Sequence, residues 1–224
     1  MIEVPRDHYG WQTVDDPFYY QVLCLQETNL IRFLETNCSE TISTALEVGA
    51  ASDIFLRRIP AEHRIGVNVL QACIDQLEAK GVDGRLSNGH GIPANDGEAD
   101  LTICFETLEH VPDPIGFLRE LARVTSDNGR ILLSIPNVPK TVVRGYHHGV
   151  ETPVDQPESE YHIFEFDRND FRKVVTHAGL EIQDEQVLVN FSLCYDPISN
   201  RCIRRHVSPD CFDSLQAYTI IKKR

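Results

Sequence analysis

The sequence predicts a doubly wound α/β domain built on a mostly parallel sheet, and three observations predict it. Thr44–Asp53, TALEVGAASD, reads as a buried strand that runs into a turn of small residues at Gly49-Ala50-Ala51-Ser52, with a helix opening behind it. Ala99–Phe105 (ADLTICF) and Arg130–Ile135 (RILLSI) are continuously apolar, the pattern of parallel strands covered on both faces. Helical stretches separate the strand candidates throughout, giving a β-α-β-α rhythm. A small-residue turn between strand and helix lets backbone N–H groups approach a ligand, so the site is expected at Gly49. Glu47, just before the turn, offers a carboxylate to a ligand or to the turn itself.

Composition bounds the alternatives. The chain has 224 residues, 42% hydrophobic and 25% charged, enough for one α/β domain with a full core. Its net charge of −13 repels phosphate backbones, which argues against nucleic acid as a partner. Seven scattered cysteines without a C-x-x-C read as packed free thiols in a reducing cytoplasm rather than as a disulfide or zinc framework. The N-terminus lacks the pattern of a signal peptide, and no apolar run is long enough to span a bilayer. A cytoplasmic protein with no membrane partner is expected.

Residues 1–16 form a polar arm. Asp16-Pro17 reads as an N-cap and first-turn proline for a helix to about Thr36. Phe18, Tyr19 and Tyr20 open that helix, either to cap a pocket or to pack it onto the domain. After the pivotal strand come a helix over Ser52–Arg58, a strand over His63–Val69 and a helix over Leu70–Lys80 that Gly81 stops. A short strand over Gly84–Gly89 and a turn-rich link precede Ala99–Phe105. Asp113 caps a helix that runs to about Ser126, ended by Asn128-Gly129 ahead of the RILLSI strand. Asn137–His162, with three prolines and Gly145-Tyr146-His147-His148-Gly149, reads as a lid or binding loop, a solvated excursion being the plain alternative. Asp167–Ala178 is a helix, Leu180–Val189 a strand, and Asn190–Leu215 irregular with Arg201, Arg204 and Arg205. Ala217–Lys223 is a last strand at or near a sheet edge. Residues 1–43 are thus expected to cover the pocket, and 44–224 to form the ligand-binding domain with 137–162 as its insert.

Taken together, LEVGAAS (46–52), GVNV (66–69), SNGHGIPANDGEADLTICFETLEHV (87–111), FLRELARVTSDNGRILLSIPN (117–137) and YHIFEFDRNDFRKVVTHAGLEI (161–182) are similar to the motifs of class I S-adenosylmethionine (SAM)-dependent methyltransferases. The closest likeness is to their small-molecule, quinone-biosynthesis-type branch. The resemblance implies a Rossmann-like, seven-stranded sheet with an antiparallel last strand, and SAM across the carboxyl ends of the first four strands. Carried over, Glu47 and Gly49 flank the methionine part and Asn68 faces the ribose hydroxyls, with Ala51 and Val69 counted among the cofactor-binding residues. Asn88 faces the adenine amino group and Gly89 lets the purine lie close, while Phe105 and Glu106 line the methyl end. The chain departs from the pattern at Ala51 and Asp53, where glycines are usual, and at Asn68 and Asn88, where acids are usual. Alanine takes a positive φ only with strain, and an amide is a weaker acceptor than a carboxylate.

Methyl transfer needs alignment and exclusion of water, and a base only where the acceptor must lose a proton. The candidate bases are His110, His147 and His148, with His162 and Glu106 behind them; loop hydrogen bonding is the plainer role for His110. No metal is expected, because adjacent His147 and His148 diverge in an extended chain. Two functions follow: methyl transfer from SAM to oxygen or nitrogen of a small molecule, or a methyltransferase-like binding or partner subunit that has lost transfer. A homodimer is a candidate assembly. A nicotinamide-dependent dehydrogenase is disfavoured, since the turn lacks G-x-G-x-x-G.

Overall fold

A computed structural model describes residues 17–143, 162–189, 193–196, 201–204 and 214–223. Helix α1 spans Pro17–Asn37 and leads into strand β1, Ile42–Val48. Then follow β2 (Ala61–Asn68), α2 (Gln71–Glu78), β3 (Asp83–Leu86), β4 (Ala99–Phe105), α3 (Pro114–Val124) and β5 (Thr125–Pro136). Short β6 (Val142–Val143) and β7 (Phe164–Glu165) pair antiparallel. The chain continues through α4 (Arg168–His177), β8 (Leu180–Val189), β9 (Leu193–Asp196), β10 (Arg201–Arg204) and β11 (Ser214–Lys222).

The main sheet has seven strands in the order β3-β2-β1-β4-β5-β11-β8. β1 pairs parallel with β2 and with β4, and β4 pairs parallel with β5. β11 runs antiparallel to both β5 and β8. The strand order reverses at β1, so the crevice between the carboxyl ends of β1 and β4 is the switch point where doubly wound sheets bind ligands. Alternation along β1 divides the core. Ala45 joins Leu30, Ile31 and Leu34 of α1 on one face, and Leu46 and Val48 join Leu118, Leu121 and Phe171 of α3 and α4 on the other.

The expected helix caps at Asp113 and Asp167 are present. Asp113 accepts from the Gly116 N–H at 2.9 Å, and Asp167 accepts from the Asn169 and Asp170 N–H groups. Gly179, at φ +84, ends α4 in the left-handed conformation that glycine adopts without strain.

Three sequence expectations are corrected. No α-helix follows β1: residues 49–60 turn, make a single 3-10 turn at Leu56–Arg58, and enter β2. The crossover must span the length of a seven-residue strand, about 23 Å. A seven-residue helix covers only about 10 Å of that, leaving too little chain for two reversals. Buried Ile54, Phe55, Leu56 and Ile59 anchor the irregular path, and the Arg64 guanidinium donates to the Leu56 and Ile59 carbonyls at 3.0 and 2.8 Å. β11 lies near the edge, as expected: β8 takes the edge itself, and Ala217, Tyr218 and Ile220 are buried between neighbours. Within Asn190–Leu215, expected to be irregular, β9 and β10 form an antiparallel hairpin. The helix expected to end near Ser126 ends at Val124, where Thr125 turns its hydroxyl onto the Leu121 carbonyl and Thr102.

Most of the expected lid, with His147 and His148, lies outside the described residues, as do the N-cap at Asp16 and the side chains of Phe18, Tyr19 and Tyr20.

Candidate functional site

The turn after β1 is built by its neighbours. Gly49 has φ +84, and the Gly49 and Ala50 N–H groups donate to the Val67 carbonyl at 2.9 and 3.0 Å. Asn68, at the end of β2, bridges the same turn. Its Nδ2 donates to the Ala50 carbonyl at 3.0 Å and its Oδ1 accepts from the Leu70 N–H at 2.9 Å. The amide therefore fills a position that a carboxylate cannot, because the Ala50 carbonyl needs a donor. Beside it, Val69 and Leu86 present half-exposed apolar side chains at the carboxyl ends of β2 and β3. Asn88 and Gly89 are exposed on the loop after β3; Asn88 accepts from the His90 N–H, and Gly89 has φ +81 with open space around it. Ala51 is half-buried in the turn.

Carboxylates collect at the β1–β4 crevice. Glu47, on the α1 side of β1, is buried and keeps Oε2 without a hydrogen-bond partner among the described residues. Burial holds its carboxyl well above the usual range, and the charges of Glu27 and Asp53 push it further. Glu27 of α1 is raised to about 8, first by burial and then by Glu106. Glu106, just past β4, is raised to about 7 by burial, which a hydrogen bond from Ser134 only partly offsets. Ser134 Oγ donates to Glu106 Oε1 at 2.7 Å and Gln26 Nε2 donates to Oε2 at 3.3 Å. Glu106 also has φ +47, unusual for a non-glycine residue, held by its N–H bond to the Ser134 carbonyl at 3.2 Å. Phe105 is buried on the α1 side of the sheet, edge-on to Phe55 at 5.0 Å.

One turn further on, His110 lies edge-on to His162 at 4.9 Å between ring centroids. His162 Nδ1 bonds Glu165 Oε1 at 2.8 Å, and the Glu109 carbonyl accepts from the Ile163 N–H at 2.7 Å. Of the residues expected at the site, the structure brings Glu47, Gly49, Ala51, Asn68 and Val69 to one end of the sheet, with Asn88 and Gly89 on the adjacent loop. Sequence reasoning missed Glu27 and Gln26. The available signal was a glutamate spaced with Ile31 and Leu34 on the buried face of a helix. Thr107, which packs over Gly49, carried no signal at all.

A family model described as a methyltransferase domain matches residues 20–185. The chain belongs to this methyltransferase family. Among relatives of this SAM-dependent family, a ubiquinone biosynthesis O-methyltransferase of Thiobacillus denitrificans is 29% identical over 121 residues, covering 48% of this chain and 50% of that one. The homologue from Marinobacter nauticus is 25% identical over 191 residues, covering 78% of each chain. The chain spans about half the length of the first of these relatives. The fold is shared with a Burkholderia thailandensis 1,6-didemethyltoxoflavin-N1-methyltransferase solved with S-adenosylhomocysteine, at TM-score 0.59 and 12% identity, covering 100% of this chain and 94% of that one. It is shared also with a SAM-dependent methyltransferase of Aquifex aeolicus, at TM-score 0.56 and 14% identity, covering 94% and 96%. SAM is the cofactor of the family. The described helices of this methyltransferase include none long and apolar enough to cross a membrane.

Proposed function

We propose that this methyltransferase moves the methyl group of SAM to an oxygen or nitrogen of a small molecule. The observation that carries the reading is the carboxylate set at the switch point, Glu27 and Glu47 buried and Glu106 half-buried, with Glu47 Oε2 unpartnered among the described residues. Buried acids raised this far favour a cationic ligand. A pyrophosphate would meet no positive charge there among the described residues, and no helix N-terminus stands behind the turn to receive it.

SAM, when bound, supplies an electrophilic methyl on a positively charged sulfur. The chain's residues fit it. Glu47 is suited to accept from the α-ammonium, and Asn68 retains acceptor capacity for a ribose hydroxyl beyond its bond to Leu70. Val69 and Leu86 offer an apolar surface to a planar base, with Asn88 and Gly89 alongside. Glu106 lies where the acceptor would approach. His110, and His147 and His148 of the insert, are the bases proposed for an acceptor that must lose a proton. A small acceptor agrees with the names of the ubiquinone O-methyltransferases and of the toxoflavin-precursor N-methyltransferase.

Calorimetric titration of the purified chain with SAM tests the reading, followed by transfer of labelled methyl to a panel of phenols and nitrogen heterocycles. Saturable heat that Glu47→Gln weakens, together with labelled product, is expected. No heat at millimolar SAM would overturn it.

A further inference from the structure

Outside the carboxylate crevice, a second cluster stands on the turn after β4. Glu109, His110 and His162 each offer a ligand atom, and these atoms all lie within 4.8 Å of one another. Two ligands held about 2.1 Å from one ion stand roughly 3–4 Å apart, so small side-chain adjustments close the set on a shared centre. Glu109 is 1% exposed, yet neither of its carboxylate oxygens has a hydrogen-bond partner in another described residue. A buried carboxylate in that condition costs free energy unless a proton or a ligand completes it. Glu106 and Glu165 crowd it with further negative charge, which its own backbone N–H only partly eases. The His162 imidazole is already oriented: its Nδ1 bonds Glu165 Oε1 at 2.8 Å, which leaves Nε2 for coordination. A carboxylate behind a ligating histidine is the usual outer-shell arrangement around protein-bound metals.

We propose that Glu109, His110 and His162 bind a first-row divalent transition-metal ion, with Glu165 as the positioning residue for His162. Two imidazoles and one carboxylate select zinc, manganese, iron(II) or cobalt over calcium or magnesium, which prefer all-oxygen cages. Three protein ligands leave positions for water or for an acceptor hydroxyl, whose pKa the ion lowers. That last role rests on the proposed methyl transfer and would favour oxygen acceptors. The binding of the ion does not rest on it.

The test uses the full chain stripped with chelator and dialysed against Co²⁺ or Zn²⁺ in the absence of SAM. One ion bound per chain is expected, with visible Co²⁺ absorption of the kind that nitrogen ligands give. His162→Ala and Glu109→Gln should each weaken binding about tenfold or more, and Glu165→Gln should weaken it with the Co²⁺ spectrum shifted. His90→Ala, at an exposed histidine outside the cluster, should leave affinity unchanged. His162 is partly exposed, so its variant folds even where a change at buried Glu109 does not. No stoichiometric ion at 100 µM free metal, or binding that survives His162→Ala undiminished, overturns the proposal. Failure to bind SAM would instead sink the transfer reading and leave this one standing.

Discussion

Thr107 closes the space above Gly49. Its Oγ1 occupies the place where a Cβ on that glycine would stand, and its Cγ2 and Cβ lie 3.1 and 3.2 Å from the same point. The threonine is held there by its own bond, Oγ1 to the Phe105 carbonyl at 2.9 Å. The pair locks the end of β1 to the end of β4, across the crevice that the carboxylates line. Gly49→Ala therefore meets two penalties: a left-handed φ, about 1 kcal/mol for an alanine, and overlap with Thr107. A total loss of about 2–4 kcal/mol is expected in urea denaturation. Thr107→Ala alone should cost about 1 kcal/mol through the lost hydrogen bond. In the double variant the losses should add to less than their sum, because the overlap is relieved while the φ strain stays. Strict additivity would mean the two residues do not press on each other.

Asn68 explains why an amide stands where the family motif has an acid. Asn68→Asp removes the donor to the Ala50 carbonyl and puts a carboxylate against it. A loss of about 1–3 kcal/mol is expected at pH 7. SAM affinity should fall as well, since the turn that carries Gly49 loses its brace. A stabilised Asn68→Asp variant with tighter SAM binding would contradict this account.

The loop between β3 and β4 is held from outside the site. On α3, Arg123 donates to the Ile92 and Ala94 carbonyls at 2.9 and 2.8 Å and pairs with Asp96, while Glu120 accepts from the Ile92 N–H at 3.2 Å. Glu120 and Arg123 also bond each other, so one turn of helix grips both ends of the peptide at Ile92. Arg123→Lys keeps the charge but loses the planar fork that reaches two carbonyls at once. SAM affinity should weaken about three- to tenfold through the adjacent Asn88–Gly89 stretch, with protection of the Ile92–Glu98 amides reduced in hydrogen exchange. Unchanged affinity would show that the loop is shaped without this clamp.

Strand positions were legible where burial on both faces leaves one reading. Ala99–Phe105 and Leu180–Val189 match the structure residue for residue, because continuous or loosely alternating apolar runs admit little else. The capped helices were legible because Asp113 and Asp167 act locally. The missing helix after β1 was not legible. Residues 52–58 have helical composition, and what forbids the helix is the distance the crossover must span, a property of the assembled sheet. That β8 takes the outermost place, with β11 beside it, was hidden for the same reason, since chain order does not give spatial order. At the site, the motifs located Glu47, Gly49 and Asn68. The inward partners Glu27, Thr107 and Glu165 come from other elements and become neighbours only on folding.

The buried acids make stability fall as pH rises. In the unfolded chain Glu27 and Glu106 release their protons near 4.5, whereas in the folded chain they hold them to about 8 and about 7. Between those values the native state binds more protons than the unfolded state, so raising the pH favours unfolding. The contribution is fully present below pH 4.5 and is lost as pH passes through 7 and 8. Within that window each group costs up to about 1.4 kcal/mol per pH unit. Thermal midpoints of the ligand-free chain should therefore drop from pH 6 to pH 8, and Glu27→Gln should flatten the drop. A cationic ligand reverses the sign of its own term: SAM meets ionised carboxylates more readily at higher pH, so its affinity should rise over the same interval. Midpoints that climb from pH 6 to pH 8 without ligand would mean these carboxylates are already compensated in the folded chain.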